Sequence, residues 1–277
     1  MIENTTTTED HALNYYDFSE TKGDYNHLSE VISRELDTIG YVIVKNFDAD
    51  VMNKAECDEK FLKISQLIGN PIPHDNNNSI IWDIKANPAS KGLVKTYSEH
   101  SHEAELHTDS QYSYYPEDYF GLLTLKKASC GGGISYLLSL QEILSELRDF
   151  DKDGSIEHTL RTKDFPFIVP DVFKKKSGEN KEFNFGPILR DNEIRFRVDT
   201  FEKAIQERPD LCAPEQIQAY KALKSIIINS AAMRKFFLNE HDLIFINNKT
   251  MLHGRSQFTD NTRHLLRIRL NKFSASA

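Results

Sequence analysis

Two short polar motifs, far apart in the chain, most strongly limit what this sequence can fold into. The first is His107-Thr108-Asp109, and the second is His253 with Arg267 further along. On an extended strand, residues two apart point to the same face, so His107 and Asp109 would present an imidazole and a carboxylate together. A distant second histidine can complete the set of two histidines and one carboxylate that binds divalent iron in oxygenases. The sequence therefore favours a sheet fold that brings distant strands together around a metal.

The second motif is followed by a candidate strand that carries several arginines on one face. Arg263, Leu265, Arg267 and Arg269 alternate with apolar residues, so this face would point inward if the strand is buried. A buried charge without a partner is costly, and an inward Arg267 therefore requires an anion. The planar guanidinium binds carboxylates through two parallel hydrogen bonds, which suits a dicarboxylate co-substrate. Arg263 is a second candidate for the same role.

Short apolar runs separated by turn residues dominate the chain after two amphipathic helices. This pattern predicts a mainly β fold with flanking helices, of the double-stranded β-helix type, which is a jelly roll like that of the cupins. We expect a disordered tail over residues 1–12 and a single domain over 13–277. Within that domain, a helical part is expected over 27–69 and a jelly-roll core over about 80–271.

Individual elements follow from local periodicity. Helices are predicted over 27–39, 51–68 and 140–150, and from Pro214 to about Leu238. The strands predicted between and after them include 93–97, 105–109, 119–126, 134–138, 156–162, 165–169, 194–198, 243–246, 250–253 and 265–270. A lysine-rich segment, 174–181, is predicted to be a surface loop.

Composition excludes several classes of function. The formal net charge is −8 and the basic residues are scattered, which argues against nucleic acid as a partner, because phosphate binding needs a basic stripe. No run approaches the roughly 20 apolar residues of a membrane span, and the first residues lack a signal-peptide pattern. Cys57, Cys130 and Cys212 are isolated, which favours a reducing cytoplasm. A homo-oligomer is compatible with the sequence.

A run of three glycines lies between the two metal motifs. Gly131, Gly132 and Gly133 precede a candidate strand that contains Ser135. Glycine permits tight bends and close approach of the backbone to a ligand, although a plain turn is its commoner use. We therefore place this run and Ser135 near the site.

Together these motifs resemble those of the taurine dioxygenase and clavaminate synthase group of Fe(II)/2-oxoglutarate-dependent oxygenases. The matching blocks are residues 107–109, 131–135, 242–255 and 263–267. The resemblance implies that His107, Asp109 and His253 bind Fe(II), and that Arg267 pairs with the distal carboxylate of 2-oxoglutarate. It further implies a contact between Ser135 and this co-substrate, with O2 as the second co-substrate. Because Asp109 is present, it implies hydroxylation and not chlorination.

Within this group the sequence is similar to enzymes that act on free amino acids. We expect hydroxylation of an unactivated C–H bond in a small polar substrate, a basic L-amino acid such as lysine. Asp199 could pair with a substrate ammonium group and Arg197 with the α-carboxylate. Glu105 is a further acidic candidate, because strand alternation places it on the face of His107 and Asp109.

Two other functions compete with this interpretation. His100, His102 and His107 could belong to a zinc-dependent hydrolase, although the chain lacks a His-Glu-x-x-His motif. A non-catalytic jelly-roll binding module would keep the fold without needing either metal motif. Redox-inert zinc would favour the first alternative, and failure to bind Fe(II) and 2-oxoglutarate would favour the second.

Overall fold

The fold is seen in a computed structural model that describes residues 13–21, 23–48, 50, 53–75, 78–85, 97, 100–169 and 182–274. The predicted tail over 1–12, most of the predicted strand over 93–97 and the predicted loop over 174–181 lie outside these residues.

The described chain contains fifteen strands and six α-helices. The strands are β1 Tyr15–Asp17, β2 Tyr41–Lys45, β3 Asn70–Ile72, β4 Ile81–Ile84, β5 Ala104–His107, β6 Tyr119–Lys126, β7 Ser135–Ser139, β8 Phe165–Ile168, β9 Phe183–Gly186, β10 Leu189–Arg190, β11 Glu193–Ile194, β12 Arg234–Phe236, β13 Leu243–Asn247, β14 Met251–Arg255 and β15 His264–Asn271. The helices are α1 Tyr25–Thr38, α2 Lys54–Ile68, α3 Leu140–Phe150, α4 Ser155–Thr162, α5 Val198–Glu207 and α6 Pro214–Asn229. Short 3₁₀ helices cover Phe18–Thr21 and Pro209–Leu211.

Two sheets form the centre of the molecule. The larger has seven strands in the order β1-β2-β13-β6-β15-β3, and β4 pairs with β15 beside β3. The smaller has four strands in the order β12-β7-β14-β5. Two hairpins, β8 with β9 and β10 with β11, complete the pairing in the described chain. The sheets are not closed into a barrel.

Strand alternation divides the core into three layers. Leu243 and Phe245 of β13 pack in a cluster with α1 and α2, whereas Ile244 and Ile246 belong to a cluster that also contains Leu137 of the smaller sheet. Alternate residues of the smaller sheet pack in a third cluster with α3, α4, α5 and α6. The two sheets therefore face each other, with helices on both outer faces, which confirms the predicted mainly β jelly roll with flanking helices.

Side-chain caps explain where two of the predicted helices begin. The carboxylate of Asp24 accepts hydrogen bonds from the backbone amides of Asn26 and His27, which satisfies donors that the first turn of α1 leaves free. Ser139 and Glu142 form a reciprocal capping box at the start of α3. The sequence interpretation of both segments as helices is confirmed.

Three element predictions are wrong. Residues 155–162 form α4 and not a strand, because Ile156 and Leu160 are spaced to share one helical face, and Leu160 is fully buried in the core. The predicted strand over 194–198 stops at Ile194, and α5 begins at Val198. Helix α6 ends at Asn229, so that residues 234–236 are free to form β12 against β7.

Among the described residues, no helix has the length and apolar character needed to cross a membrane.

Candidate metal and co-substrate site

Neighbouring strands of the smaller sheet bring the two metal motifs together. His107 ends β5, and it lies directly opposite His253 of the antiparallel neighbour β14. Asp109 follows β5, where its backbone amide donates to the side-chain oxygen of Asn248 at 2.7 Å. The amide nitrogen of Asn248 donates in turn to the carbonyl of Asp109 at 3.1 Å. Asn248 therefore fixes the carboxylate-bearing turn beside the two histidines.

The three side chains form a compact ligand set. Asp109 Oδ1 lies 3.6 Å from His107 Nε2 and 3.9 Å from His253 Nε2. One ligand atom from each residue lies within 4.8 Å of the other two, and across the described residues this is the group of histidine, cysteine and carboxylate side chains that could hold a metal ion. His100 and His102, which the zinc alternative requires, are not part of it.

Hydrogen bonding orients one ligand, and the surrounding charges and burial shift the pKa values of the other two. His107 Nδ1 donates to the carbonyl of Glu105 at 2.8 Å, which turns Nε2 of this ring towards Asp109. Burial and the neighbouring His107 hold the pKa of His253 well below its usual range, which leaves this ring neutral. Burial alone would raise the pKa of Asp109, but Arg267 and the two histidines hold it well below its usual range. Two imidazoles and one carboxylate are the ligand set that fits a divalent iron ion.

Arg267 reaches the metal ligands from the larger sheet. Its Nη1 atom lies 3.1 Å from Asp109 Oδ2, and both side chains are largely buried. β15 places Leu265 in the layer between the sheets and Leu266 on the outer side, so Arg267 points inward as predicted. Arg267 therefore pairs with a metal ligand, and its pairing with a co-substrate carboxylate stays a prediction.

A cavity opens beside the metal ligands, and its wall contains far more positive than negative charge. Arg197, Arg255, Arg263, Arg267 and Arg269 line it, whereas Asp109 is the one lining carboxylate in the described chain. Arg269 pairs with Glu117 at 3.0 Å. Such a wall favours an anionic ligand.

Among the described residues, Arg263 is a lining arginine that forms no ion pair with a carboxylate and, unlike Arg255, no hydrogen bond to a backbone carbonyl. It is 7% exposed, and its guanidinium lies 5.1 Å from the ring centre of Phe258. Burial lowers the pKa of Arg263 to about 10. A charge kept this far from water without a counter-ion indicates a site for an anion.

The last glycine of the run packs against Arg263, and Ser135 lines the same cavity. A Cβ atom on Gly133 would lie 3.1 Å from Arg263 Nε, and the φ angle of Gly133 is +74°. Both observations explain why this position is glycine, since other residues rarely adopt that angle. Gly133 therefore packs closely against Arg263, whereas close approach of the run to a ligand stays a prediction.

A bulge in β5 directs Glu105 away from the cavity. His107 pairs with His253 and Ala104 pairs with Arg255, so that two residues of β5 face the single residue Gly254. Because the bulge interrupts strand alternation, Ala104 and His107 line the cavity and Glu105 does not. Glu105 lines a separate depression with Glu103 and Lys235.

Arg197 and Asp199 bind each other beside the metal ligands. Arg197 lines the cavity and makes two hydrogen bonds to Asp199, at 2.6 and 2.9 Å. Tyr97 stacks on the Arg197 guanidinium at 4.2 Å, and its ring centre is 4.5 Å from that of His107. The side chain of Asp199 is one-third exposed, at 33%, and keeps free lone pairs.

Sequence reasoning missed two residues at this site. Arg255 follows His253 on β14, yet its contacts are with backbone carbonyls, which no side-chain pattern reveals. Tyr97 was assigned only to a candidate strand. Although Arg255 lies only two positions after His253, no sequence pattern indicates that it contacts the backbone of Tyr97.

Comparison with known proteins supports the same kind of site. The model of the family described as "Taurine catabolism dioxygenase TauD, TfdA family" matches residues 12–269. No curated protein matches the chain significantly.

Two sets of solved structures share the fold at low sequence identity. An asparagine oxygenase in complex with Fe(II), 3-hydroxyasparagine and succinate superposes with a TM-score of 0.67 at 15% identity, covering 89% of this chain and 78% of that one. The non-heme iron oxygenase OrfP in complex with Fe and alpha-ketoglutaric acid superposes with a TM-score of 0.65 at 17% identity, covering 95% of both chains. An OrfP mutant in complex with (3S)-hydroxy-L-Arg gives 0.65 at 17% identity, covering 94% of both.

The family match covers nearly the whole chain and includes every predicted metal ligand. It confirms the predicted class of 2-oxoglutarate-dependent dioxygenase and the predicted use of Fe(II), 2-oxoglutarate and O2, and it favours neither the zinc hydrolase nor the non-catalytic module. The chain belongs to the TauD/TfdA family of dioxygenases.

Proposed function

We propose that this dioxygenase hydroxylates an unactivated C–H bond of a free amino acid. The observation that carries the proposal is that the metal ligands His107, Asp109 and His253 share one cavity with Arg197, Arg263 and Arg267, and that Arg197 in turn binds Asp199. Fe(II) with 2-oxoglutarate and O2 supplies the oxidant that replaces a C–H hydrogen by hydroxyl. The neighbouring asparagine oxygenase and OrfP structures contain hydroxylated amino acids, which supports an amino-acid substrate.

In this proposal the ligand residues and the cavity wall have separate tasks. His107 Nε2, His253 and Asp109 would hold the metal, and the Glu105 carbonyl keeps the His107 ring oriented. The ring of Phe120, with its centre 4.4 Å from that of His253, would exclude water from one side. We place the enzyme in the cytoplasm, as its isolated cysteines suggest.

For the distal carboxylate of 2-oxoglutarate, the contacts favour Arg263 with Ser135 over Arg267. Arg267 already pairs with Asp109 at 3.1 Å, whereas Arg263 pairs with no described carboxylate. Ser135 lines the same cavity, where its hydroxyl can donate to a carboxylate. Arg267 would then hold Asp109 in its ionised, metal-binding form.

The first experiment is an anaerobic titration of the metal-free protein with Fe(II) and 2-oxoglutarate. We expect the weak visible charge-transfer band of the chelate, and its loss in a protein carrying Asp109→Ala and His253→Ala. A well-folded wild-type protein without the band would refute the cofactor assignment.

Two matched variants test which arginine binds the distal carboxylate of 2-oxoglutarate. Arg263→Gln should weaken 2-oxoglutarate binding by about 10- to 100-fold, the range expected when a charge-assisted hydrogen bond is lost. Arg267→Gln should weaken it less. If Arg267→Gln weakens 2-oxoglutarate binding more than Arg263→Gln does, Arg267 is the residue that binds the distal carboxylate, as the sequence predicts.

We further propose that the substrate side chain is basic, with L-lysine as the first candidate. Arg197 donates two hydrogen bonds to the carboxylate of Asp199. The remaining, exposed lone pairs of this carboxylate could accept hydrogen bonds from a substrate ammonium group. The test is succinate release with L-lysine, with L-norleucine as the matched control of equal length and no side-chain charge. Equal turnover of the two would refute a basic side chain, and turnover of L-asparagine instead would assign an amide substrate.

A further inference from the structure

The guanidinium of Arg255 donates hydrogen bonds to backbone carbonyls and pairs with no described carboxylate. Its Nη1 atom donates to the carbonyl of His102 at 2.7 Å, and its Nη2 atom donates to that of Tyr97 at 3.0 Å and to that of His100. The side chain is 8% exposed, and its guanidinium lies 4.7 Å from the ring centre of Phe258. Holding several carbonyls at once requires the planar fork of arginine, which lysine cannot reproduce.

The carbonyl of Tyr97 belongs to a residue that covers the metal site. The Tyr97 ring lies 4.5 Å from the ring of His107 and 4.2 Å from the Arg197 guanidinium, measured between ring centres and to the guanidinium carbon. Arg255 from β14 therefore holds the backbone of Tyr97, while Arg197 from the start of α5 holds its ring. Two elements that are distant in the sequence, β14 and the start of α5, therefore hold Tyr97 in place.

Electrostatics indicate that this arrangement is retained at a cost. Burial and the nearby Arg263 lower the pKa of Arg255 to about 9. A guanidinium placed beside a second one, without a described carboxylate, is stable only because the carbonyl oxygens share its charge. This cost would be unnecessary if Arg255 only filled space between β14 and Phe258.

We propose that Arg255 is a positioning residue that seats Tyr97 as the wall of the substrate cavity beside His107. Arg255 lines the same cavity, and in this proposal it acts through the carbonyls of Tyr97, His100 and His102 that its guanidinium holds. The inference rests on the proposed function for its catalytic consequence, but the seating of Tyr97 can be measured on the metal-free protein.

Chymotrypsin provides that measurement, because it cleaves after aromatic residues and needs the carbonyl that Arg255 holds. In Arg255→Lys, cleavage between Tyr97 and Ser98 should be about tenfold faster than in the wild-type protein, as expected from losing hydrogen bonds to a charged donor. Cleavage after Phe150, which is 63% exposed, is the internal reference and should not change. Arg263→Lys is the matched control, since it alters the other arginine that packs on Phe258 but none of these carbonyl contacts.

An unchanged rate at Tyr97 in Arg255→Lys, or an equal increase in Arg263→Lys, would overturn the proposal. On the enzyme, Arg255→Lys should raise KM for the amino-acid substrate by about tenfold, with kcat and KM for 2-oxoglutarate changed less than twofold. An equal loss in both KM values would also overturn it.

Faster cleavage after Phe150 would reveal that Arg255→Lys does not fold. In that case a second variant tests the role of Tyr97. Tyr97→Leu leaves Arg255 in place and should raise the same KM for the amino-acid substrate, whereas an unchanged KM would overturn the role of Tyr97. If the wild-type protein consumes no 2-oxoglutarate, the proposed function fails, and the cleavage rates still test the seating of Tyr97.

Discussion

At the scale of single residues, the site depends on which charges are paired before any ligand binds. Asp109 is paired with Arg267, and Arg197 with Asp199, whereas Arg263 lacks a described carboxylate. Arg263 and Arg267 line the same cavity, although Arg263 precedes β15 and the register of that strand shifts between its first two residues. The sequence prediction that both belong to one strand face is therefore correct only for Arg267. Sequence alternation could not predict which of them would find a partner, because that depends on the turn that carries Asp109 on a different sheet.

His74 should make the stability of the folded protein depend on pH. Its Nε2–H donates to the carbonyl of Arg267 at 3.1 Å, and burial with the charges of Arg267 and Arg269 lowers its pKa to about 2. The unfolded chain therefore binds a proton below pH ~6.5 that the folded chain does not bind, so stability is full above this pH and falls as the pH decreases towards the folded pKa. One such histidine costs about 2 kcal/mol between pH 7 and pH 5.

The substitution His74→Gln keeps a donor for the carbonyl and removes the titration. The loss of unfolding free energy between pH 7 and pH 5 should be about 2 kcal/mol smaller in the variant, as measured by urea unfolding of the metal-free protein. His253, which is also buried and neutral, still contributes in both proteins. Identical pH dependence in the two proteins would show that His74 titrates normally in the folded state.

At the scale of elements, the sequence predicted long regular strands well and short or interrupted ones poorly. β6, β13 and β15 are rich in apolar residues, and their predicted bounds agree with the structure to within one residue at each end. The strand predicted over 156–162 is the helix α4, because a few apolar residues fit both periods and only packing distinguishes them. Glu105 is displaced by a bulge that depends on Gly254 of another strand, which no pattern within β5 reveals.

The bulge makes Gly254 a sensitive position. A Cβ atom there would lie 2.6 Å from the carbonyl oxygen of Ala104, a backbone atom that cannot move without shifting β5. Gly254→Ala should therefore cost about 1–3 kcal/mol of unfolding free energy, as overpacking does. It should also weaken Mn(II) binding, measured by electron paramagnetic resonance, because His107 and His253 are paired beside the bulge.

Gly131→Ala is the control for that variant. Its Cβ would meet no atom within 4 Å, and the substitution is disfavoured only by the φ angle of +76°. It should cost about 1 kcal/mol and leave Mn(II) affinity unchanged. Equal effects of the two substitutions would mean that the close approach of β5 and β14 does not maintain the site.

At the scale of the whole molecule, the same strands contribute to more than one layer of the core. β13 places Phe245 against α2 and Ile244 between the sheets, and β14 places Met251 between the sheets and Leu252 against the other helices. The metal ligands lie on β5, in the turn after it and on β14, while Arg267 comes from the opposite sheet. The site therefore exists only when both sheets are in place.

This sharing predicts one cooperative unfolding transition, as expected for the single domain inferred from the sequence. Trp82 of β4, on the larger sheet, and far-UV circular dichroism, to which all helices contribute, should report the same urea midpoint in the metal-free protein. Ile244→Ala, at a position 1% exposed between the sheets, should lower the unfolding free energy by about 2–5 kcal/mol and shift both signals together. Ile228→Ala, at a position 52% exposed, should change it by less than about 0.5 kcal/mol. The contrary result would be two separate urea midpoints, with Ile244→Ala moving only the tryptophan signal. It would show that the helices beyond the smaller sheet unfold independently, so that the chain comprises two cooperative units.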